Sequence, residues 1–219
     1  MAIQQIKIVK NILAGNDQMA ERNRQCFQSA GVLAINVMAS PGSGKTSLIV
    51  RTIKKIGRNV RIGVIEGDIA GSIDTEKVLD AGAVDAVQIN TGGNCHLEAS
   101  MIQRALENFE LHSVDILFIE NVGNLVCPTH WSLGEQLRIC LLSTPEGHDK
   151  AVKYPEIFAA SDAILLNKID LLAWTDFSRD FFYESVQALN SQARVFELSC
   201  RTGEGLEAWV AWLREKLRL

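Results

Sequence analysis

The sequence predicts an α/β fold: a doubly wound, mainly parallel sheet with helices on both faces. Three observations lead there. Seven apolar runs have strand length, amphipathic stretches lie between most of them, and a glycine-rich phosphate-loop pattern, ASPGSGKTSL at 39–48, follows the first run. At 219 residues, 47% of them hydrophobic, the chain is large enough for one soluble domain with a sizeable core.

Residues 3–30 are polar and charged, with apolar positions at Ile6, Val9, Ile12 and Leu13. They read as an N-terminal helical arm (1–30) that ends near Gly31 and packs across the domain that follows (31–219). The first strand is VLAINVMA, and the amphipathic TSLIVRTIKKIG after the phosphate loop is the first domain helix. VRIGVIEG and DAVQIN are the next strands. HLEASMIQRALENFEL reads as a helix leading to the strand VDILFIE, and LRICLLS and AILLNK complete the apolar strands. FFYESVQALN supplies a helix before the strand ARVFELS. The last helix carries Trp209 and Trp212 at helical spacing, which suits core or edge packing. The sequence contains no repeat, low-complexity tract or Pro/Gly-rich linker.

A net charge of −4 without a Lys/Arg block argues against nucleic acid and anionic membranes as partners. The N-terminus lacks the apolar core of a secretory signal and no apolar run reaches 18 residues, so a cytoplasmic protein is expected. The five cysteines (Cys26, Cys95, Cys127, Cys140, Cys200) have no framework spacing, and a reducing compartment disfavours disulfides. Any special cysteine is then a metal ligand or a nucleophile.

In parallel sheets of this kind, ligands bind beyond the carboxyl ends of the strands. The phosphate loop places Gly42, Ser43, Gly44, Lys45, Thr46 and Ser47 at the start of a helix. Backbone N–H groups there cradle the β-phosphate, Lys45 reaches the β/γ oxygens, and the Thr46 hydroxyl is a Mg²⁺ ligand. Ala39 stands where the strict pattern has glycine, which is tolerable only if that residue needs no positive φ. Asn167, Lys168 and Asp170 in LLNKID end a strand, where an aspartate accepts the N1–H and N2–H₂ of guanine. Together with a second base loop, Ser199-Cys200-Arg201, this favours GTP over ATP. The bland alternatives are a glycine-rich turn and a polar strand end.

Asp68 and Glu120 end two strands expected to flank the phosphate-loop strand, and such acids hold Mg²⁺ and orient attacking water. Solvated strand-end acids are the plain alternative. With no evident glutamine for that water, Asp68 is the candidate for positioning it, beside Lys45 as a catalytic group. ENVGN (120–124) has the form of a γ-phosphate sensor, in which Gly123 lets a backbone N–H approach the phosphate and the loop moves on hydrolysis. Cys127 follows four residues later.

In TGGNCHLEA, Cys95 and His96 are adjacent in the approach to a helix, whose N-terminus lowers a thiolate pKa. With Cys127 they offer two sulfurs and one nitrogen, which suit Zn²⁺ or Ni²⁺ but leave a shell that water or a second subunit must complete. A structural cysteine beside a surface histidine is the alternative. Cys26, Cys140 and Cys200 read as packing or loop residues, and His112, His130 and His148 lack spaced partners.

From about residue 31 onward, SPGSGKTSL, VIEGD, TGGNCHLEA, FIENVGNLVCP, LGEQ, LLSTPEGHDKAVKYP, LLNKIDLL and RTGEGLEAW occur in order. With them the chain resembles the hydrogenase nickel-incorporation GTPases of the HypB family, P-loop NTPases of the SIMIBI class that also holds the urease accessory GTPase. The resemblance implies hydrolysis of GTP to GDP and phosphate, a GTP-promoted homodimer, and Ni²⁺ or Zn²⁺ at Cys95, His96 and Cys127 near the dimer interface. It also implies delivery of nickel to a [NiFe]-hydrogenase large-subunit precursor, with a small HypA-like accessory protein. Three departures stand out. The N-terminal stretch has neither a cysteine motif nor a histidine-rich storage stretch, so storage is not expected; Trp131 and Ser132 replace the usual Phe and Asp; and TGGN replaces TGKG. Two rivals remain: a GTPase with structural zinc at the dimer interface serving another client, and a P-loop small-molecule kinase or ATPase.

Overall fold

The computed structural model describes residues 2–57, 59–68 and 73–217, the first eleven of these by their backbone alone. Ile6, Val9 and Ile12 of the arm therefore lie outside the described side chains. The strands are β1 (Leu33–Ala39), β2 (Ile62–Asp68), β3 (Asp85–Asn90), β4 (Ile116–Glu120), β5 (Leu137–Ser143), β6 (Ala163–Asn167) and β7 (Arg194–Glu197). They form one sheet in the order β3-β2-β4-β1-β5-β6-β7, with every pairing parallel. The order corrects one expectation. Glu120 does end a neighbour of β1, but the other neighbour is β5, and β2 with Asp68 lies one strand further out, because β4 inserts between them.

The helices are α1 (Ala2–Ala30), α2 (Lys45–Ile56), α3 (Ile73–Ala81), α4 (Ala99–Leu106), α5 (Lys150–Lys153), α6 (Pro155–Ala159), α7 (Arg179–Leu189) and α8 (Leu206–Leu217). Along β1 the side chains alternate as a pleated strand requires. Ile35, Val37 and Ala39 enter a core shared with Leu48, Ile49 and Ile53 of α2 and Trp209 and Leu213 of α8. On the opposite face Ala34 packs with Phe27 of α1 and Ile102 of α4, while Met38 packs with Phe158 of α6 and Phe182 of α7. Asn36, fully buried, points to that same face between the two apolar clusters.

Trp209 is fully buried, donates its Nε1–H to Thr52 Oγ1 at 2.9 Å and stacks on Trp212 at 5.4 Å, so both tryptophans serve the core. α4 is shorter than the periodicity of HLEASMIQRALENFEL suggests. It starts only at Ala99, since the backbone before it is held by side chains: Leu97 N–H donates to Asn121 Oδ1 (3.1 Å) and Ala99 N–H to Asn16 Oδ1 (2.9 Å). Cys95 and His96 thus stand in the loop ahead of the helix rather than in its first turn.

Candidate functional site

The carboxyl ends of β1, β2 and β4 open onto a cleft of about 930 Å³. Of the residues singled out in the sequence, Gly42, Gly44, Lys45, Thr46, Ser47, Asp68, Glu120, Gly123 and Cys200 line it. Gly42 and Gly44 take φ of 75° and 104°, and a Cβ on Gly44 would meet Asn167 Nδ2 at 2.6 Å, so backbone freedom and space both require glycine here. Ala39 ends β1 as ordinary strand, without a positive φ, and the phosphate loop accommodates it. Gly123 comes so close to the phosphate loop that a Cβ would meet Pro41 backbone at 2.9 Å.

Inside the cleft the Thr46 hydroxyl donates to Glu120 Oε1 at 3.0 Å, and Glu120 Oε2 has no hydrogen-bond partner among the described residues. Burial pushes the Glu120 carboxyl up to about 8, against the pull of Lys45. An orphaned carboxylate oxygen beside a hydroxyl suits a hard divalent cation such as Mg²⁺, which would also favour the ionised acid. Asp68, half-buried at the end of β2, lines the same cleft. Glu66 was not singled out in the sequence and is buried there too, its pKa raised by burial, with Thr75 donating to Oε2 at 2.7 Å. Its signal was present: residues i and i+2 of a strand share a face, so Glu66 follows from Asp68.

At the other side Asn167 ties two loops together. Its Nδ2 donates to Ser43 O (2.8 Å) and its Oδ1 accepts from Cys200 N–H (3.1 Å). Lys168, at φ 62°, reaches Gly42 O at 2.8 Å, and Asp170 Oδ1 accepts from Ser199 Oγ at 2.5 Å. The two base-loop candidates are thus in contact, while Asn167, Lys168, Asp170, Ser199 and Arg201 lie outside the lining of the cleft. Arg51 Nη2 holds the Arg201 carbonyl at 2.8 Å. Glu146 is another residue the sequence did not single out. It accepts from Ser43 Oγ (2.8 Å), Ser143 N–H (2.8 Å) and Ser40 Oγ, and so buttresses the phosphate loop from the turn after β5.

Cys95, His96 and Cys127 converge from two loops, with ligand atoms all within 4.8 Å of one another. The sulfurs are 3.0 Å apart and Cys95 Sγ is 3.7 Å from His96 Nδ1. The His96 ring stacks on Trp131 at 4.5 Å, its Nε2 is buried without a hydrogen bond among the described residues, and burial holds its pKa below the ordinary value, which favours the neutral ring with a free lone pair. The adjacent Cys95 pushes the Cys127 thiol up. Two sulfurs and a neutral imidazole form a donor set for a borderline-soft cation.

Asn121, part of the ENVGN stretch but not itself singled out in the sequence, joins this site to the nucleotide cleft. It follows Glu120 directly, accepts from Leu97 N–H, and donates from Nδ2 to Asn36 Oδ1 at 3.2 Å. Cys26 is exposed on α1, Cys140 and Cys200 are buried, and His130 faces Glu156 at 3.1 Å, away from any cluster. Among the described residues no helix is long and apolar enough to cross a membrane.

The CobW/HypB/UreG nucleotide-binding domain matches residues 33–197. The hydrogenase maturation factor HypB of Rhizobium leguminosarum bv. viciae is 48% identical over 208 residues, which span 95% of this chain and 69% of that protein. The crystal structure of hydrogenase maturation factor HypB from Archaeoglobus fulgidus superposes with a TM-score of 0.87 at 41% identity, covering 93% of this chain and 99% of that one. For HypB from Helicobacter pylori in complex with nickel the TM-score is 0.89 at 38% identity, covering 93% and 95%. With a seven-stranded parallel sheet, a glycine-cradled phosphate loop and these similarities along most of its length, the chain belongs to the CobW/HypB/UreG family of nucleotide-binding domains.

Proposed function

We propose that this protein is a GTP-hydrolysing metallochaperone that carries nickel for [NiFe]-hydrogenase maturation. The observation that carries this reading is the Asn121 link: the residue after Glu120 in the nucleotide cleft is hydrogen-bonded to the loop that holds Cys95 and His96. Residues 31–219 are the GTP-binding domain and residues 1–30 its arm. Asp170 reads guanine, with Asn167 and Lys168 stiffening the loop and Ser199-Cys200-Arg201 closing the base pocket. Gly42 to Ser47 cradle the phosphates, and Lys45 stabilises charge that develops on them.

Thr46, Glu120 and Asp68 are the side chains that would hold Mg²⁺, which neutralises phosphate charge when bound. Asp68 also orients the attacking water. As the γ-phosphate draws in the backbone N–H of Gly123, Asn121 and Cys127 move with that loop, and the spacing between Cys127 and Cys95 changes. The cargo is Ni²⁺, with Zn²⁺ as the competing ion. GTP promotes a homodimer whose second subunit completes the shell, and hydrolysis to GDP releases the metal in the cytoplasm to a hydrogenase large-subunit precursor, with a HypA-like accessory protein assisting.

Support comes from the nickel-bound Helicobacter pylori relative and from the maturation role in the names of the similar proteins. The test is a calorimetric Ni²⁺ titration of protein loaded with GDP or with a non-hydrolysable GTP analogue, with mass recorded for each. Coupling of about 1–3 kcal/mol predicts a fivefold to hundredfold difference in nickel affinity, together with a dimer in the analogue-loaded form. Equal affinity and equal mass would rule out nucleotide-gated delivery and favour structural zinc.

A further inference from the structure

Two asparagines of α1 do something unusual for a helix that packs outside a sheet. Asn16 and Asn23 lie two helical turns apart on one face with Ala20 between them, and all three are buried. Neither asparagine amide caps its own helix. Asn16 accepts from Ala99 N–H (2.9 Å) and donates to Ser132 O (2.9 Å). Asn23 donates from the same Nδ2 to Ala99 O (2.9 Å) and Leu133 O (3.0 Å).

Each side chain therefore bridges the same two segments. One is the start of α4, reached three residues after His96; the other is the 132–133 loop, reached five residues after Cys127. Those are the two segments whose spacing sets the separation of Cys95 and His96 from Cys127. Between the asparagines the contact is close-packed: Gly134, at φ 97°, sits where a Cβ would meet Ala20 O at 2.5 Å and Arg24 N at 2.8 Å.

From this double bridge we infer that α1 is the positioning element of the metal site, with Asn16 and Asn23 as the residues that fix the spacing of its two ligand loops at their bases. The inference rests on the metal-carrying reading above. A planar amide suits both places: at Asn16 its acceptor and donor take the N–H of one segment and the C=O of the other, and at Asn23 the two N–H donors of one Nδ2 reach a carbonyl of each. An apolar residue would fill the volume and leave buried peptide groups unpaired and the loops free to slide. The arm thereby belongs to the chemistry of the Cys95–His96–Cys127 cluster although it contributes no ligand, as partners of metal ligands often do.

The experiment compares wild type with N16L/N23L, checked for folding by circular dichroism and GDP binding. The first readout is Ni²⁺ titration followed by thiolate-to-nickel absorption; affinity should fall by about 10–100-fold with a changed band, as for loss of other ligand-supporting residues. The second needs no metal. Diamide takes the two thiol hydrogens and joins Cys95 to Cys127, mapped by peptide mass. In wild type, with the sulfurs 3.0 Å apart, this closure should be at least about tenfold faster than in the variant, since small misplacements slow intramolecular steps steeply.

A folded variant with wild-type nickel affinity, band and cross-linking rate would overturn the inference. If the double variant does not fold, N16L alone and G134A, which lifts the loop from α1, are read in the same two ways. Wild type that binds no nickel would defeat the metal-carrying reading, while the cross-linking rates would still decide whether α1 sets the spacing.

Discussion

At the scale of single residues, the candidate site is governed by where side chains lose water. Glu120 is the clearest case. Its folded pKa of about 8 lies above the ordinary carboxyl value, so between roughly pH 4.5 and 8 the folded state binds a proton that the unfolded chain does not. Stability of the ligand-free protein should therefore fall as pH rises through that window, and E120Q should flatten the dependence in denaturant melts. Uptake of Mg²⁺ and nucleotide should instead strengthen towards pH 8 and release a proton, visible as a buffer-dependent heat in calorimetry. Asp170 gives a second test. Removing a charged acceptor from a hydrogen-bonded pair costs about 1.5–3 kcal/mol, so D170N should weaken GTP binding by about 10–100-fold and leave ATP binding unchanged in a fluorescent-nucleotide assay. Cys95, His96, Cys127, Lys45 and Thr46 were legible because their chemistry is written in short strings. The roles of Glu146 and Asn121 were not, because their partners lie far away in the chain: Glu146 is 103 positions from Ser43 and Asn121 is 24 from Leu97, whereas Glu66 was readable from its place two residues before Asp68.

At the scale of elements, all seven strands were legible as apolar runs, and the five inner ones, buried on both faces, leave little choice of residue. The length of α4 was not. Its periodic pattern runs on either side of Ala99–Leu106, but amides from α1 and from the loop after β4 claim the backbone N–H groups ahead of it. α2 and α8 illustrate how elements on one face depend on each other. Trp209 fills the space between them and satisfies its N–H on Thr52. Trp209→Ala should destabilise the fold by about 3–5 kcal/mol in urea melts, whereas Thr52→Val, which orphans the indole N–H and removes the hydroxyl's own bond to Leu48 O, should cost about 1–3 kcal/mol. Gly44 marks the junction of α2 with the base loop. With its φ of 104° and no room for a Cβ, Gly44→Ala should abolish measurable nucleotide binding while the far-UV spectrum persists.

At the scale of the whole molecule, four of the five cysteines divide into two populations, with Cys127 intermediate between them. Cys95 is exposed, whereas burial pushes Cys200 up to about 12 and raises Cys140 further. Native thiol labelling at pH 8 should modify Cys95 and the exposed Cys26 rapidly and leave Cys140 and Cys200 untouched until the protein unfolds. The parallel sheet itself was predictable, but its order was not, because hydrophobic runs do not say which strand lies beside which. The insertion of β4 between β1 and β2 has a consequence for synthesis. β1, complete at Ala39, pairs with β4 and β5, so both of its edges stay bare on the ribosome until residues 116–120 and then 137–143 emerge. At roughly 5–20 residues per second, that leaves an apolar strand unprotected for several seconds in the growing chain. The strand that carries the phosphate loop thus waits longest of the seven for its first neighbour.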